Sequence, residues 1–401
     1  MRKSLRLAAV PLLAGAVAVT GFTAAASAGT RPHAKPTYTI AYEGPLSGGV
    51  AQLGLNMDYA VRLAINDANQ GKTFGALPFT LKYVRKDDQG SPSVSPTVAA
   101  QLVANSSVIA VVGPAFSGAT KAAEPTFHAA HLATVSPSAT AIALAQNHWN
   151  NFFRVVASDQ VQGTADADYV VKTLHLTKIY NISDGSTYGA GLSSIFGGRA
   201  KHDGASVTDA TVPSTTGCGN GGNGDPTQYP GVASTIVSHH PKIVFYGGYY
   251  CDLGLLLGAL HHAGYSGKVM SGDGSDDPHL IKGTNPESAA NGTLLSCACA
   301  VLGKTAADRS FGSAFTKLAH FAPGTYSAES FDAANAIIKA MVTLSREHKA
   351  ITRANVVTAL HAVVWVGLTK TIRFQANGNI SGTTVYVNRV QGTKIVQLGV
   401  E

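Results

Sequence analysis

Two hydroxyl side chains flank a proline-stiffened turn in "TVSPSAT" (134–140), where a β-branched run ends. Ser138 and Thr140, with the backbone around them, suit either of two tasks: capping a helix or cradling an anion. Ser117, in "GPAFSGAT" after the run "VIAVV", presents the same choice one unit earlier. Catalytic patterns point elsewhere. The chain carries no Gly-x-Ser-x-Gly nucleophile elbow and no His-Glu-x-x-His helix. His239–His240 and His261–His262 are adjacent residues in helical patterns, so each pair faces two directions and makes a poor joint metal site. These absences argue against a secreted hydrolase or any other enzyme, against a cofactor, and for a site that binds without reacting.

Four cysteines allow up to two disulfides in three connectivities. One candidate pair is Cys218, in "TTGCGNGGNGD", with Cys251, after "KIVFYGGYY"; closing that loop contributes roughly 3–5 kcal/mol. Cys297 and Cys299, in "SCAC", share a strand face near the upper distance limit for a bridge. A bridge and two buried thiols both fit that spacing. The set matches no usual zinc site.

The elements that must position these residues alternate along the chain. "YTIAYEG" (38–44) precedes a helical pattern of Met57, Val61, Ala64, Ile65 and Ala68. "FTLKYVRKDD" (79–88) and "VIAVVGPAF" (108–116) each precede another helix, and "LATVSPSAT" follows. Near residue 150 the series restarts with "FFRVVAS", the helix "DADYVVKTLHL", "KIYNIS" and a helix from about Gly191. It continues with "KIVFYGG" (242–248), a helix through Leu253–His262 and "KVMSGD" (268–273). Short strands rich in Val, Ile and aromatics, bounded by Gly, Pro, Ser or Asp, read as parallel strands buried on both faces. Two such series predict an α/β chain of two doubly wound parallel-sheet lobes, with the site beyond the carboxyl ends of the strands. The Gly-rich loop 217–224 is the one low-complexity insert.

Bulk properties limit partners and location. Arg2, Lys3 and Arg6, an apolar run Leu7–Phe22 and "ASA" at 26–28 form an export signal over 1–28. Residues 29–36, "GTRPHAKP", read as a flexible leader. No later stretch is long enough to span a membrane, and no cysteine beside the cleavage site offers a lipid attachment point. Cleavage lowers the formal net charge from +7 to +4 and leaves 373 residues, enough for two domains. Lys and Arg are scattered without a basic stripe, which argues against nucleic-acid binding. The expected product is an exported, extracytoplasmic monomer.

Eight segments occur in register: "YEGPLSGGVAQLG", "DDQGSP", "VVGPAFSGAT", "VSPSAT", "FFRVVASDQVQG", "DGSTYGAGL", "VFYGGYYCDLG" and "FQANGNISG". Their order resembles the branched-chain amino-acid (Leu/Ile/Val) binding proteins, which have the type I periplasmic-binding-protein fold and serve ABC importers. The resemblance spans roughly 37–400. It implies a three-segment hinge crossed near 154–158, near 296–300 and close to the C-terminus. One lobe would comprise 37–155 plus 300–383, the other 156–299 plus 384–401. It also implies capture of an amino acid and its delivery to permease subunits.

A buried zwitterion needs partners at both ends, since an unpaired buried charge costs several kcal/mol. By resemblance, Ser117 and Thr140, each read as opening a helix, hold the ligand carboxylate. Pro137 stiffens the turn while Ser138 and Ala139 bring backbone close. Asp273, in "VMSGDGSDD", aligns with a family glutamate that pairs with the ligand's amino group; an Asp there could instead cap the turn before Gly274. Asp276 and Asp277 read as solvated turn residues. Tyr188, Tyr249 and Tyr326 fall on positions around the ligand, and Phe116 precedes the carboxylate serine. Leu53 stands where well-known members carry an aromatic, so branched-chain preference does not follow. Short amides, urea or an aromatic acid are the alternative ligands on the same fold, and a receptor-signalling sensor is the alternative to transport.

Overall fold

The computed structural model describes residues 34–212, 217–300, 302–381 and 384–400, together with Ala9 and Pro11. The predicted signal 1–28 and most of the leader lie outside the described residues. Contacts divide the chain into Met1–Lys35 and a compact unit, Pro36–Glu401. The latter holds every element below.

The first series runs β1 (Thr37–Gly44), α1 (Ala51–Asn69), β2 (Thr80–Asp87), α2 (Ser95–Ala104) and β3 (Val108–Val112). It ends with α3 (Ser117–Ala129), β4 (Ala133–Ser136) and β5 (Phe152–Arg154). The strands form a parallel sheet in the order β2-β1-β3-β4-β5. The second series runs α4 (Asp159–Asp168), β6 (Lys178–Ser183), α5 (Thr187–His202), β7 (Ser206–Thr211) and α6 (Tyr229–Ser238). It continues through β8 (Ile243–Gly247), α7 (Tyr250–His262), β9 (Lys268–Ser271), α8 (His279–Gly283) and β10 (Leu294–Cys297). Its parallel strands repeat the first order, as β7-β6-β8-β9-β10. The chain then adds α9 (Ala306–Ala319), α10 (Ser327–Arg346), α11 (Arg353–His361) and a small hairpin, β11 (Trp365–Val366) with β12 (Thr371–Ile372). Helix α10 packs on α1 and the first sheet. An antiparallel hairpin, β13 (Tyr386–Gln391) and β14 (Lys394–Val400), completes the second sheet beside β10.

Sequence explains the strands directly. Every residue of β3, "VIAVV", and of β8, "IVFYG", is buried, as expected for strands covered by helices on both sides. Two local readings change. Helix α5 begins at Thr187 rather than near Gly191, because Ser186 caps it by accepting the Gly189 N–H at 3.0 Å. Cys299 lies beyond the end of β10, not on the same strand face as Cys297, and the two are bonded to each other. Cys218 is bonded to Cys251.

Carboxylates are buried in unusual number. Glu43 accepts from Ser95 Oγ at 2.5 Å, and Glu124 accepts from Thr134 Oγ1 at 2.9 Å and Asn151 Nδ2 at 2.5 Å. Burial pushes the pKa of Asp88, Asp184 and Asp276 up to about 7, and that of Glu124 up to about 8. Native carboxyls therefore retain protons that the unfolded chain has released above its ordinary carboxylate range. These carboxyls contribute stability that is fully present below the ordinary carboxylate range, declines as pH rises above that range, and is lost once pH has passed about 7 to 8. The thermal midpoint is expected to be higher at pH 5 than at pH 8; the opposite order in calorimetric scans would contradict it.

Candidate ligand-binding site

Both sheets share one strand order, so their carboxyl ends present equivalent loops to a common crevice. From the first sheet, β3 hands over through Gly113 and Pro114 to α3. A side chain at Gly113 (φ +118°) would put its Cβ 2.2 Å from the Glu43 carbonyl oxygen, so only glycine lets the chain turn there. Phe116 is extended at the helix entrance, and Ser117 starts thirteen residues of α-helix with its side chain buried. Ser117 Oγ accepts the Ala141 N–H at 3.2 Å, which ties α3 to the 138–141 turn and leaves its hydroxyl proton for another acceptor.

That turn is tighter than its sequence suggests. Ser136 Oγ donates to the Pro114 carbonyl at 2.7 Å and accepts the Ala139 N–H at 3.0 Å. Ser138 Oγ donates to the Ala115 carbonyl at 2.7 Å. Thr140 does not open an α-helix; a single 3₁₀ turn, Ile142–Gln146, follows. The reason is Arg154, fully buried at the end of β5. Its Nη1 donates to the carbonyls of Ala139 at 3.2 Å and Ala141 at 2.8 Å, acceptors that a helix starting here would use. Its Nε donates to Asn379 Oδ1 at 2.7 Å, anchoring the "NGN" segment. The expected pair of helix N-termini is thus one, that of α3. Thr140 Oγ1 is buried without a close hydrogen-bond partner, beside the Asp159 carboxylate. Ala139 is fully buried, with its N–H and carbonyl both engaged.

The second sheet supplies negative charge. Asp273, just after β9, is 2 % exposed. It accepts from Tyr188 Oη at 2.9 Å and from the Tyr326 hydroxyl, which arrives from the α10 side. Tyr188 Oη also accepts the Gly274 N–H at 3.1 Å. Burial raises the Asp273 pKa to about 6 against the opposing pull of the Tyr188 hydrogen bond. Asp159, in the first turn of α4, has a pKa raised to about 7 by burial; Thr140 and Arg154 oppose that shift and Asp273 adds to it. Tyr326 holds a left-handed backbone (φ 67°), uncommon for an aromatic residue. One narrow crevice, with only ≈ 10 Å³ of free space, gathers Leu53, Phe116, Ser117, Ser138, Tyr188, Tyr249, Asp273, Gly274 and Tyr326. Phe116 stacks on Tyr249 across it, centroids 4.5 Å apart, and Tyr188 lies 5.2 Å from Tyr249. A groove of ≈ 530 Å³ between α10 and α11 is larger but is lined by one lobe alone.

Thr140 and Ala139 lie behind the crevice lining rather than in it. Asp276 and Asp277 are not solvated. Asn388 Nδ2 donates to Asp276 at 2.9 Å, and Asp277 accepts from the His279 N–H at 2.8 Å. The C-terminal hairpin reaches Asp276 and His279 holds Asp277, neither of which the local "DGSDD" pattern shows. Asp159, Arg154 and Gln162 escaped the sequence reading. Their signal is an Arg ending a strand, with an acid opening the next helix and Gln at the following turn. Gln162 Nε2 reaches Ser296 Oγ at 2.9 Å, joining α4 to β10.

A family model described as "Periplasmic binding protein" matches residues 37–394. The Leu/Ile/Val-binding protein homolog 3 of Brucella melitensis is 29 % identical over 273 residues, 68 % of this chain and 70 % of that protein. The leucine binding protein LivK of Thermotoga maritima superposes with a TM-score of 0.78 at 21 % identity, over 90 % of this chain and 98 % of that one. The branched-chain amino acid transporter substrate binding protein LivJ of Streptococcus pneumoniae, solved in complex with isoleucine, also gives 0.78 at 21 % identity, over 91 % and 99 %. With two α/β lobes in matching strand order around one shared crevice, and a family model covering nearly all of them, this chain belongs to the periplasmic binding protein family.

Proposed function

We propose that the protein captures a free α-amino acid between its lobes outside the cytoplasm and delivers it to an ABC-type permease, performing no chemistry itself. One observation carries the reading: Ser117, at the N-terminus of α3, and Asp273, after β9, line the same crevice from different lobes. The first suits a carboxylate; the second, with Asp159 close behind, suits an ammonium. Leu53, Phe116, Tyr249 and Tyr188 offer apolar surface to the ligand side chain. An aromatic acid or a neutral amide would leave Asp273 and Asp159 without a cation, so an amino acid is the better match. The names of the relatives agree with that choice.

The lobes, 37–155 plus 300–383 and 156–299 plus 384–401, would move about the three crossings. These bounds put the crossings after Arg154, after Cys297 and after Ile380. The exported monomer, cleaved near Ala28, would present its closed form to the permease.

Calorimetric titration with the amino acids, together with amides, urea and benzoate, tests the ligand class; heat from the amides alone would overturn it. Asp273→Asn is expected to weaken amino-acid binding by about 2–5 kcal/mol, the cost of removing one partner of a buried charge pair. Wild-type affinity in that variant would remove Asp273 from the site.

Proton uptake by the same carboxyls makes binding pH-dependent. Only ionised Asp273 (pKa about 6) and Asp159 (about 7) attract an ammonium. Affinity is therefore expected to level off above pH 7 and to fall as pH drops through 7 and 6. A dissociation constant that stays flat from pH 5 to pH 8 would count against both residues.

A further inference from the structure

The Gly-rich insert is the one sequence feature that neither the sheets nor the crevice lining accounts for, yet it touches three functional parts at once. Cys218 is buried and bonded to Cys251 in the first turn of α7, with the Cα atoms 6.3 Å apart. The Cys218 N–H donates to Asp252 Oδ2 at 2.8 Å, a second tie to the same turn. Gly219 lies flat against the crevice tyrosine: a Cβ there would sit 2.7 Å from Tyr249 Cε2 and 2.8 Å from Ser186 Cβ. The insert then reaches the other lobe. Gly222 carbonyl accepts the Gly49 N–H at 3.3 Å, and a Cβ on Gly221 (φ +88°) would come within 2.8 Å of Ser91 Cβ.

We infer that Gly217–Gly222 is a disulfide-anchored clasp that holds Tyr249 in position and fastens the second lobe onto the first, setting how long a ligand stays bound. The identity of that ligand rests on the reading above; the clasp itself rests on contacts within the chain. Contacts between lobes stabilise the closed form, with or without ligand, and do not alter the open form that a ligand first meets. Their loss should appear in the dissociation rate. The bridge matters because a glycine run is otherwise costly to order. Tying it to α7 removes much of that freedom from the unfolded loop.

Two variants test this without touching a crevice side chain. Cys218→Ser/Cys251→Ser releases the anchor. Gly221→Ala leaves the anchor in place but meets Ser91 and disfavours the left-handed backbone. Gly231→Ala, in α6 with open space around it, is the control. Stopped-flow fluorescence with leucine and the other amino acids that bind should show dissociation roughly three- to tenfold faster in both variants, the scale of one lost hydrogen bond and its packing. Association rates and the control should stay within twofold of wild type.

Amide hydrogen exchange gives a ligand-independent readout. Gly49 should be protected in wild type and should lose that protection in both variants. If wild type binds no amino acid, the ligand reading fails and Gly49 exchange alone decides the clasp. Unchanged exchange at Gly49 in either folded variant, or wild-type dissociation rates where ligand does bind, would overturn the clasp.

Discussion

A carboxylate held away from water between two lobes is the constraint that organises this molecule. Asp273 is buried, and a buried carboxylate tends to neutralise unless donors or a cation compensate it. Two tyrosines meet it, Tyr188 from its own lobe and Tyr326 from the start of α10, which packs on α1 of the other. The grip therefore crosses the crevice. Tyr326 keeps a left-handed backbone while making it, and its neighbour Thr325 donates to the Asp276 carbonyl on the far side. Closure and carboxylate solvation become one event.

Arg154 plays the complementary part. A buried guanidinium must spend its donors inside the protein, and burial lowers its pKa to about 10. Its bonds to Ala139, Ala141 and Asn379 fix the turn that ends β4, the end of β5 and the "NGN" segment to one point. Asp159 stands near enough to favour its charge. The two lobes thus meet over a positive group behind the crevice and a negative pair in and beside it.

Much of this was legible in sequence because it is local. Parallel strands buried on both faces announce themselves as short apolar runs, and their ends carried the small and hydroxylic residues that now line the crevice. What escaped reading was non-local. Thr140 looked like a helix start because nothing nearby shows that Arg154, fourteen residues on, takes the neighbouring carbonyls. Asp276 looked solvated because the hairpin that holds it comes at the end of the chain. Asp159 drew no attention in sequence, and only the packing of α4 in the folded chain brings its carboxylate within range of the Asp273 charge. Helix α5 was misplaced for the opposite reason: its cap, Ser186, is local, but the glycines around it hid the start.

The charge layout explains why such a fold would discriminate by dipole before it discriminates by side chain. The groups suited to an anion, Ser117 and the start of α3, sit on the first lobe, while the carboxylates suited to a cation, Asp273 and Asp159, sit on the second. A singly charged solute satisfies one lobe and gains little when the other arrives. A zwitterion engages both poles only in the closed form, and a ligand shifts a conformational equilibrium only by its difference in affinity for the two states. Closure is therefore selective for molecules charged at both ends. The apolar walls, with Leu53 in place of a larger ring, are left to sort those molecules by shape.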